Sequence, residues 1–322
     1  MEPDHSEFGI INQLFKPLAG FNAEARGLID DVAVLGAREG YDLVVTTDAM
    51  VEGVHFLSTD PLDQVARKLL RVNISDLVAK GADPYGYQLL TAWPRGMSYE
   101  AKALFASGLK TDQELFDFDL FGGDTVATDG PLLLSITAFG HAPRGRALSR
   151  AGARDGDRVL VAGNIGDAHL GLRVLRGEFD ELSPQDQEDL VRAYRLPEPR
   201  DDLADMVLRH AHASMDVSDG LLADAAHLAK ASGVDINIDL NLVPTSVAAR
   251  AAIRFGASPL DLVSGGDDYQ ILCTTSQKGA EVLRAAGFTD IGFCVKSDTP
   301  LVRLYSDNRL VDTDNLGFVH PL

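Results

Sequence analysis

Residues 43–56 constrain the fold of this chain more than any other stretch. The stretch begins with apolar, β-branched residues, which are typical of a buried strand. It runs into Thr46, Thr47 and Asp48, and then passes through a glycine turn to His55. Hydroxyl and carboxylate oxygens are the ligands that Mg²⁺ prefers. The stretch therefore predicts a strand that ends in part of a metal site.

The same plan, an apolar strand followed by small or hydroxyl residues and then aspartate, recurs along the chain. The five segments are Ile29-Asp30-Asp31, Thr46-Thr47-Asp48, Gly122-Gly123-Asp124, residues 215–220 and residues 264–268. A sixth aspartate, Asp76, lies inside a predicted helix, three residues after Asn73, so the two side chains face one side of that helix. Each aspartate alone could be a turn residue or a helix cap, as Asp219 could be. Gathered together, the carboxylates would repel one another unless cations neutralise them, which predicts two or more Mg²⁺ ions.

Composition excludes several classes of protein. The 322 residues suffice for two domains, and the formal net charge of -19 argues against a nucleic-acid partner, whose phosphates need a basic surface. No apolar run is long enough to span a membrane, and the acidic N-terminus does not resemble a signal peptide, so we expect a cytoplasmic protein. Cys273 and Cys294 lie in apolar runs and are predicted to be buried thiols rather than a disulfide.

Hydrophobic periodicity predicts an α+β fold with two domains, 1–142 and 143–322, each with a mostly antiparallel sheet and helices on one face. In the first domain the predicted helices are 7–19, 63–80 and 98–115, and the predicted strands are 31–35, 42–47, 87–93, 120–121 and 131–141. In the second domain the clearest predictions are strands at 158–162 and 213–217, helices near 167–176, 185–194, 201–210 and 221–231, and a terminal hairpin over 301–311.

Several residues have the chemistry to contact phosphate. The pairs Gly122-Gly123 and Gly265-Gly266 allow backbone N–H groups to approach an anion closely. Ser218 lies at a helix start, where N–H groups favour phosphate, and Arg150 could form a bidentate pair with it or be an ordinary surface residue. No P-loop, dinucleotide fingerprint or kinase Gly-rich loop occurs in the sequence.

These motifs, in this order, resemble the bacterial thiamine-monophosphate kinase family, of the superfamily that includes aminoimidazole ribonucleotide synthetase. The resemblance covers essentially the whole chain. It rests on the motifs already given together with residues 51–56, 73–77, 81–84, 145–150 and 215–221 and the segment Ser264-Gly265-Gly266-Asp267-Asp268-Tyr269.

The resemblance implies ATP-dependent, Mg²⁺-assisted phosphorylation of thiamine phosphate to thiamine diphosphate by direct transfer. It implies a homodimer that pairs through the N-terminal domains. Positions that match the family's Mg²⁺ ligands are Asp31, Thr46, Thr47, Asp48, Asp76, Asp124, Asp216 and Asp219. Positions that match its ATP contacts are Gly123, Asp124, Arg150 and Ser218. Positions that match its thiamine contacts are His55, Asp267 and Phe318.

The sequence departs from the family's pattern at several of these positions. Ile29 replaces a usual glycine before the first aspartate pair, and Asp267 is one methylene shorter than the family's usual glutamate. Lys110 takes the place of a tyrosine near the nucleotide and could meet phosphate instead, so it joins the expected ATP contacts. The C-terminal aromatic residue is Phe318. None of these changes removes an expected metal ligand, and no residue stands out as a general base.

Other interpretations remain open. Within the superfamily the chain could be a ring-closing synthetase or a selenophosphate synthetase, although the latter is expected to carry a reactive cysteine near the N-terminus, and no cysteine precedes Cys273. Outside it, the chain could be a binding module that holds a metal-nucleotide complex and transfers nothing. His55 could be a half-buried residue at a strand end rather than a substrate contact.

Overall fold

The chain folds into two units that each combine helices with a sheet. The computed structural model describes residues 6–20, 23–29, 32–312 and 317. One unit comprises the residues up to Leu77 together with Ala82–Gly145, and the other comprises Val78–Gly81 together with the residues from Arg146 onward. The predicted boundary between residues 142 and 143 stays a prediction. Among the helices described, none combines the length and apolarity needed to cross a membrane.

The first unit contains a sheet of four strands within its described residues. The strands are β1 (Tyr41–Val51), β2 (Asp83–Pro94), β3 (Asp119–Thr128) and β4 (Leu133–Pro143). Their order is β1-β4-β2-β3, so β1 and β3 are the two edges. β4 is antiparallel to both of its neighbours, whereas β2 and β3 are parallel. The mostly antiparallel sheet predicted for this part of the chain is confirmed.

The predicted helices of this unit are also confirmed. They are α1 (Glu7–Ile10), a π-helical stretch (Ile11–Phe15), α2 (Lys16–Ala19), α3 (Leu62–Ala79) and α4 (Tyr99–Phe116). Ser98 caps α4, because its Oγ accepts a hydrogen bond from the N–H of Ala101 at 3.1 Å. α3 and α4 are joined by a buried ion pair, in which Asp112 of α4 meets Arg67 and Arg71 of α3.

Three sequence predictions in this unit are wrong. No strand occurs over the described residues 32–35, where the N–H of Val34 bonds to the carbonyl of Glu24 instead of to a sheet partner. The Gly122-Gly123-Asp124 motif is not a turn after a short strand, because it pairs with residues 88–90 inside β3. Likewise, Thr46 to Asp48 lie in the middle of β1, which pairs with β4 as far as Val51.

The second unit contains a sheet of seven strands within its described residues, in the order β11-β10-β7-β9-β5-β8-β6. The strands are β5 (Arg158–Ala162), β6 (Ala213–Asp216), β7 (Val234–Asp239), β8 (Ile271–Thr275), β9 (Phe288–Lys296), β10 (Val302–Ser306) and β11 (Arg309–Val311). The helices are α5 (Asp167–Leu175), α6 (Pro184–Arg195), α7 (Ala204–His210), α8 (Leu221–Ser232), α9 (Val247–Arg254), α10 (Pro259–Ser264) and α11 (Gln277–Ala285). The predicted elements of this part are confirmed, including the terminal hairpin formed by β10 and β11.

Two hydrophobic clusters stabilise the second unit. One joins the sheet to α8, through residues such as Val159, Met215 and Leu228. The other joins α5, α6, α9 and α10. Cys273 and Cys294 are buried and free, which confirms the prediction of core thiols.

Gly123 is required where β3 approaches β2. Its φ is 151°, and a Cβ there would lie 1.8 Å from the carbonyl oxygen of Leu89, whereas a Cβ at Gly122 would meet nothing nearer than Gln88 Nε2 at 3.9 Å. We expect Gly123→Ala to lower the free energy of unfolding by about 2–4 kcal/mol and Gly122→Ala to change it by less than about 0.5 kcal/mol. Urea unfolding measures both, and equal losses would contradict the close approach.

Candidate active site

The first unit brings three of the predicted Mg²⁺ ligands together. Thr46 and Asp48 are two residues apart on β1 and share the face of the strand that meets α3. The hydroxyl of Thr46 donates to Oδ2 of Asp76, on α3, at 2.5 Å. Two carboxylates and one hydroxyl form a set of hard oxygen donors, all of them half-buried.

Asn73 ties this strand to this helix. Its side chain is fully buried, and its Nδ2 donates to the carbonyl of Leu69 one turn earlier in α3 at 2.9 Å. Its Oδ1 accepts the backbone N–H of Asp48 at 3.1 Å. Since β1 is an edge strand, this N–H has no partner strand on that side. Asn73 was expected to face the site, and the structure places it against the backbone of Asp48.

The structure does not bring the side chains of Thr47 and Asp124 to this group. Thr47 points to the opposite face of β1, where its hydroxyl donates to Thr137 Oγ1 at 3.1 Å. Asp124 is exposed on β3, the other edge of the sheet, with two strands between it and β1. Three steps between neighbouring strands amount to about 14 Å. A single ion on one chain therefore does not join Asp124 to Asp48 across this sheet.

His55 and Lys110 lie on different elements of the same unit. His55 follows β1 and is half-buried, and its Nδ1 accepts the N–H of Val51 at 3.0 Å, which places the proton of the neutral ring on Nε2. Lys110 is exposed on α4, with its ammonium 3.8 Å from the carboxylate of Glu114.

A cavity of about 820 Å³ opens beside β2 and β3 in the first unit. Gly123 and Asp124 line its polar side together with Ser135 and Thr137, and the helical N-terminal segment contributes apolar side chains such as Phe15. This volume lies in the range of pockets that bind small molecules. Two of the expected ATP contacts thus lie in the wall of a large concave site.

In the second unit, the last residue of β6 and the segment that follows it form a tight turn against the segment after α10. The turn carries Asp216, which is buried, and Ser218 and Asp219, which are half-buried. Asp267, in the second segment, donates its N–H to the carbonyl of Ser218 at 2.8 Å. Asp267 has φ 74° and Tyr269 has φ 51°, both in the left-handed region that non-glycine residues rarely adopt.

The sequence did not reveal two residues that support the backbone of expected metal or phosphate contacts. The buried Asp224 accepts the N–H groups of Ser218 and Asp219 on its Oδ2. Burial and the charge of Asp219 raise the pKa of Asp224 to about 7, and the charge of Arg150 acts in the opposite direction. Ser232, at the end of α8, donates its hydroxyl to the carbonyl of Arg150 at 2.8 Å. Acidity in the first turn of a helix was the one sequence signal for Asp224.

The residues of the first unit fit Mg²⁺ by their donor chemistry. Mg²⁺ commonly takes one or two protein carboxylates and keeps waters or substrate phosphates as its other ligands, which matches Thr46, Asp48 and Asp76. Within residues 6–20, 23–29, 32–312 and 317, no group of three or more histidine, cysteine, aspartate or glutamate side chains is arranged to hold a metal alone. Two residues of the predicted site, Asp31 and Phe318, lie outside the described residues.

Comparison with known proteins agrees with this architecture. The family model described as AIR synthase related protein, N-terminal domain, matches residues 29–142, and the model described as AIR synthase related protein, C-terminal domain, matches residues 154–291. The thiamine-monophosphate kinase of Caulobacter vibrioides is 46% identical over 98% of this chain and 91% of its own length.

Two solved structures are similar over most of the chain. The crystal structure of thiamine-monophosphate kinase from Stenotrophomonas maltophilia K279a has 34% identity and a TM-score of 0.78, and covers 85% of this chain and 89% of its own. The structure of AaThiL complexed with AMPPCP and TMP has 30% identity and a TM-score of 0.79, and covers 97% of both chains.

The two sheet-containing units and the matches to both domain models define an AIR synthase related protein. Within that class, the sequence identity to relatives that match over nearly the whole chain decides the family. The chain belongs to the thiamine-monophosphate kinase family.

The carboxyl group of Asp167, beside the segment after α10, supplies a pH test of the second unit. Burial raises its pKa, while Ser246 Oγ donates to its Oδ1 at 2.7 Å. A raised pKa stabilises the fold below the unfolded value of about 3.9, and this contribution is lost as pH rises through the folded value. Asp167→Asn keeps the acceptor but cannot ionise. We therefore expect wild type to lose stability relative to Asp167→Asn as pH rises above about 4.

Urea unfolding at several pH values measures this difference. Asp129→Asn is the matched control, because the side chain of Asp129 is 84% exposed. A difference between wild type and Asp167→Asn that stays constant with pH would contradict the raised pKa.

Proposed function

We propose that this protein transfers a phosphoryl group from ATP directly to thiamine phosphate, giving thiamine diphosphate and ADP, with Mg²⁺ as the required metal. Membership of the thiamine-monophosphate kinase family supports this reaction. The complex of AaThiL with AMPPCP and TMP supports ATP as co-substrate.

The observation that carries the proposal is the hard-oxygen group of the first unit. The hydroxyl of Thr46 is hydrogen-bonded to Asp76, and Asp48 lies on the same face of β1. Such a group suits Mg²⁺ that keeps positions open for phosphate oxygens. Bound there, Mg²⁺ would neutralise charge on the phosphates and help to orient them. The phosphate oxygen of thiamine phosphate is already anionic, so the reaction needs no protein nucleophile and no strong general base.

The other predicted residues are assigned by what surrounds them. We assign Gly123 and Asp124 to ATP, because they line the large cavity of the first unit. In the second unit we assign Asp216 and Asp219 to Mg²⁺, and Ser218, with Arg150, to the phosphates of ATP. His55, Asp267 and Phe318 are assigned to thiamine phosphate, and Asp31 and Thr47 to Mg²⁺, on the family resemblance. Lys110 is proposed as an ATP contact.

We place the protein in the cytoplasm, as its sequence predicts, and propose that it forms a homodimer through the first unit. The sheet face opposite α3 supports the dimer. On β1 that face presents Leu43 and Val45, which are 46% and 53% exposed. Adjacent apolar side chains on an open sheet face are typical of a surface that another protein covers.

Substitution of a proposed metal ligand tests the function. We expect wild-type protein with ATP, Mg²⁺ and thiamine phosphate to produce thiamine diphosphate, and Asp48→Asn to lower the turnover number by about 10²-fold or more, because one metal-binding charge is lost. Asp129→Asn, an exposed change in the same unit, should retain full activity. Chromatography of the products and a thermal melt measure activity and folding. Nucleotide binding without thiamine diphosphate would refute the kinase, and an active Asp48→Asn with an unchanged Mg²⁺ requirement would refute the ligand assignment.

A charge placed on the open face of β1 tests the dimer. Val45→Asp should convert the dimer to a monomer, because the carboxylate would be buried without a partner. Val247→Asp is the matched control, since Val247 is 69% exposed on α9 of the second unit. Light scattering coupled to size exclusion gives both masses. A dimeric Val45→Asp, or a monomeric wild type, would contradict this interface.

A further inference from the structure

A buried aspartate lies directly behind the turn that carries Ser218 and Asp219. Asp224 is only 2% exposed, and it belongs to the first turn of α8. Its Oδ2 accepts the backbone N–H of Ser218 at 2.9 Å and that of Asp219 at 3.0 Å. The helix that follows the turn thus supplies the oxygen that holds the turn.

Backbone groups of the second segment use most of the other polar atoms of the turn. The N–H of Val217 donates to the carbonyl of Gln270 at 2.9 Å, and the carbonyl of Val217 accepts the N–H of Tyr269 at 2.7 Å. The carbonyl of Ser218 accepts the N–H of Asp267 at 2.8 Å. The turn is therefore fixed by β-like bonds on one side and by Asp224 on the other.

Two glycines bring the segments so close that the turn has little room to shift. A Cβ on Gly266 would lie 2.4 Å from the carbonyl oxygen of Ser218. A Cβ on Gly220, whose φ is 118°, would lie 2.7 Å from the carbonyl oxygen of Ser264. Both distances are shorter than any ordinary non-bonded contact with carbon.

These contacts change how the turn can bind an anion. A helix start attracts phosphate through its unpaired N–H groups, which was the expectation at Ser218. Here the N–H groups of Ser218 and Asp219 already donate to Asp224. The side-chain groups that these two positions offer to a ligand are the hydroxyl of Ser218 and the carboxylate of Asp219, both on half-buried residues.

We propose that Asp224 is a positioning residue, which orients the hydroxyl of Ser218 and the carboxylate of Asp219 toward the Mg²⁺-ATP complex without touching it. This inference rests on the proposed function, because the ligands of both groups belong to that proposal. Its physical basis is that a side chain keeps its direction only when its backbone is held, and Asp224 holds two consecutive N–H groups with one buried oxygen. Outer partners of this kind typically contribute about 10–100-fold in affinity or activity.

Two substitutions separate the geometry of Asp224 from its charge. Asp224→Asn keeps an oxygen at the same distance from the backbone and loses the charge. Asp224→Glu keeps the charge and displaces the oxygen by one methylene. We expect Asp224→Asn to bind Mg²⁺-AMPPCP within about threefold of wild type, and Asp224→Glu and Asp224→Ala to bind it about 10–100-fold more weakly. Calorimetric titration measures the affinity, and the Mg²⁺ concentration for half-maximal activity should rise in parallel.

Asp157 provides the matched control in the same unit. It is 3% exposed, and its Oδ2 accepts the N–H of Arg154 at 2.9 Å in a turn that carries none of the proposed ligands. Asp157→Ala should lower the melting temperature and leave the Mg²⁺-AMPPCP affinity unchanged. If Asp224→Ala does not fold, the comparison of Asp224→Asn with Asp224→Glu still decides the matter.

Three results would overturn the proposal. They are unchanged affinity in Asp224→Glu and Asp224→Ala, a reversed order in which the asparagine variant is the weaker binder, and an equal loss of affinity in Asp157→Ala. The calorimetric measurement needs no turnover. If wild type bound Mg²⁺-AMPPCP but formed no thiamine diphosphate, the proposed kinase activity would be refuted. The affinities of the Asp224 variants would still test whether Asp224 positions the nucleotide-binding groups.

Discussion

The first unit depends on one buried amide, that of Asn73. Its nitrogen bonds to the backbone of α3 and its oxygen bonds to the backbone of Asp48, so one side chain fixes the distance between a helix and an edge strand. The hydroxyl of Thr46 reaches the carboxylate of Asp76 because this distance is fixed. Leaving either polar atom of this buried amide without a hydrogen bond would cost about 1–3 kcal/mol of folding free energy. The amide therefore stays in the orientation that makes both bonds.

The second unit uses the same physical solution with a different residue. The side chain of Asp224 accepts the backbone N–H of Asp219, as the side chain of Asn73 accepts the backbone N–H of Asp48. In both places a buried oxygen from a helix accepts the N–H of a residue whose own side chain is assigned to metal. In each place the backbone is held by a side chain other than that of the assigned ligand.

Local patterns predicted most elements of the fold but not the directions of side chains. The cap at Ser98 and the periodicity of α3 are local, and both were predicted correctly. The inclusion of Gly123 in β3 depends on pairing with residues more than thirty positions away, which no local pattern reveals. The same holds for Thr47, because the register between β1 and β4 determines that its hydroxyl bonds to Thr137. The order of the aspartate motifs predicted the family, while the supporting bonds of Asp224 required the three-dimensional path of the turn.

The left-handed backbone of Asp267 has a consequence for how this protein can be stabilised. A non-glycine residue at φ 74° carries conformational strain, typically about 1–3 kcal/mol. Glycine would adopt the same backbone without that strain, but it would remove the carboxylate assigned to thiamine phosphate. Selection for heat resistance alone would therefore favour glycine at this position and discard the activity. Position 267 is where stability and function make opposite demands on the choice of amino acid.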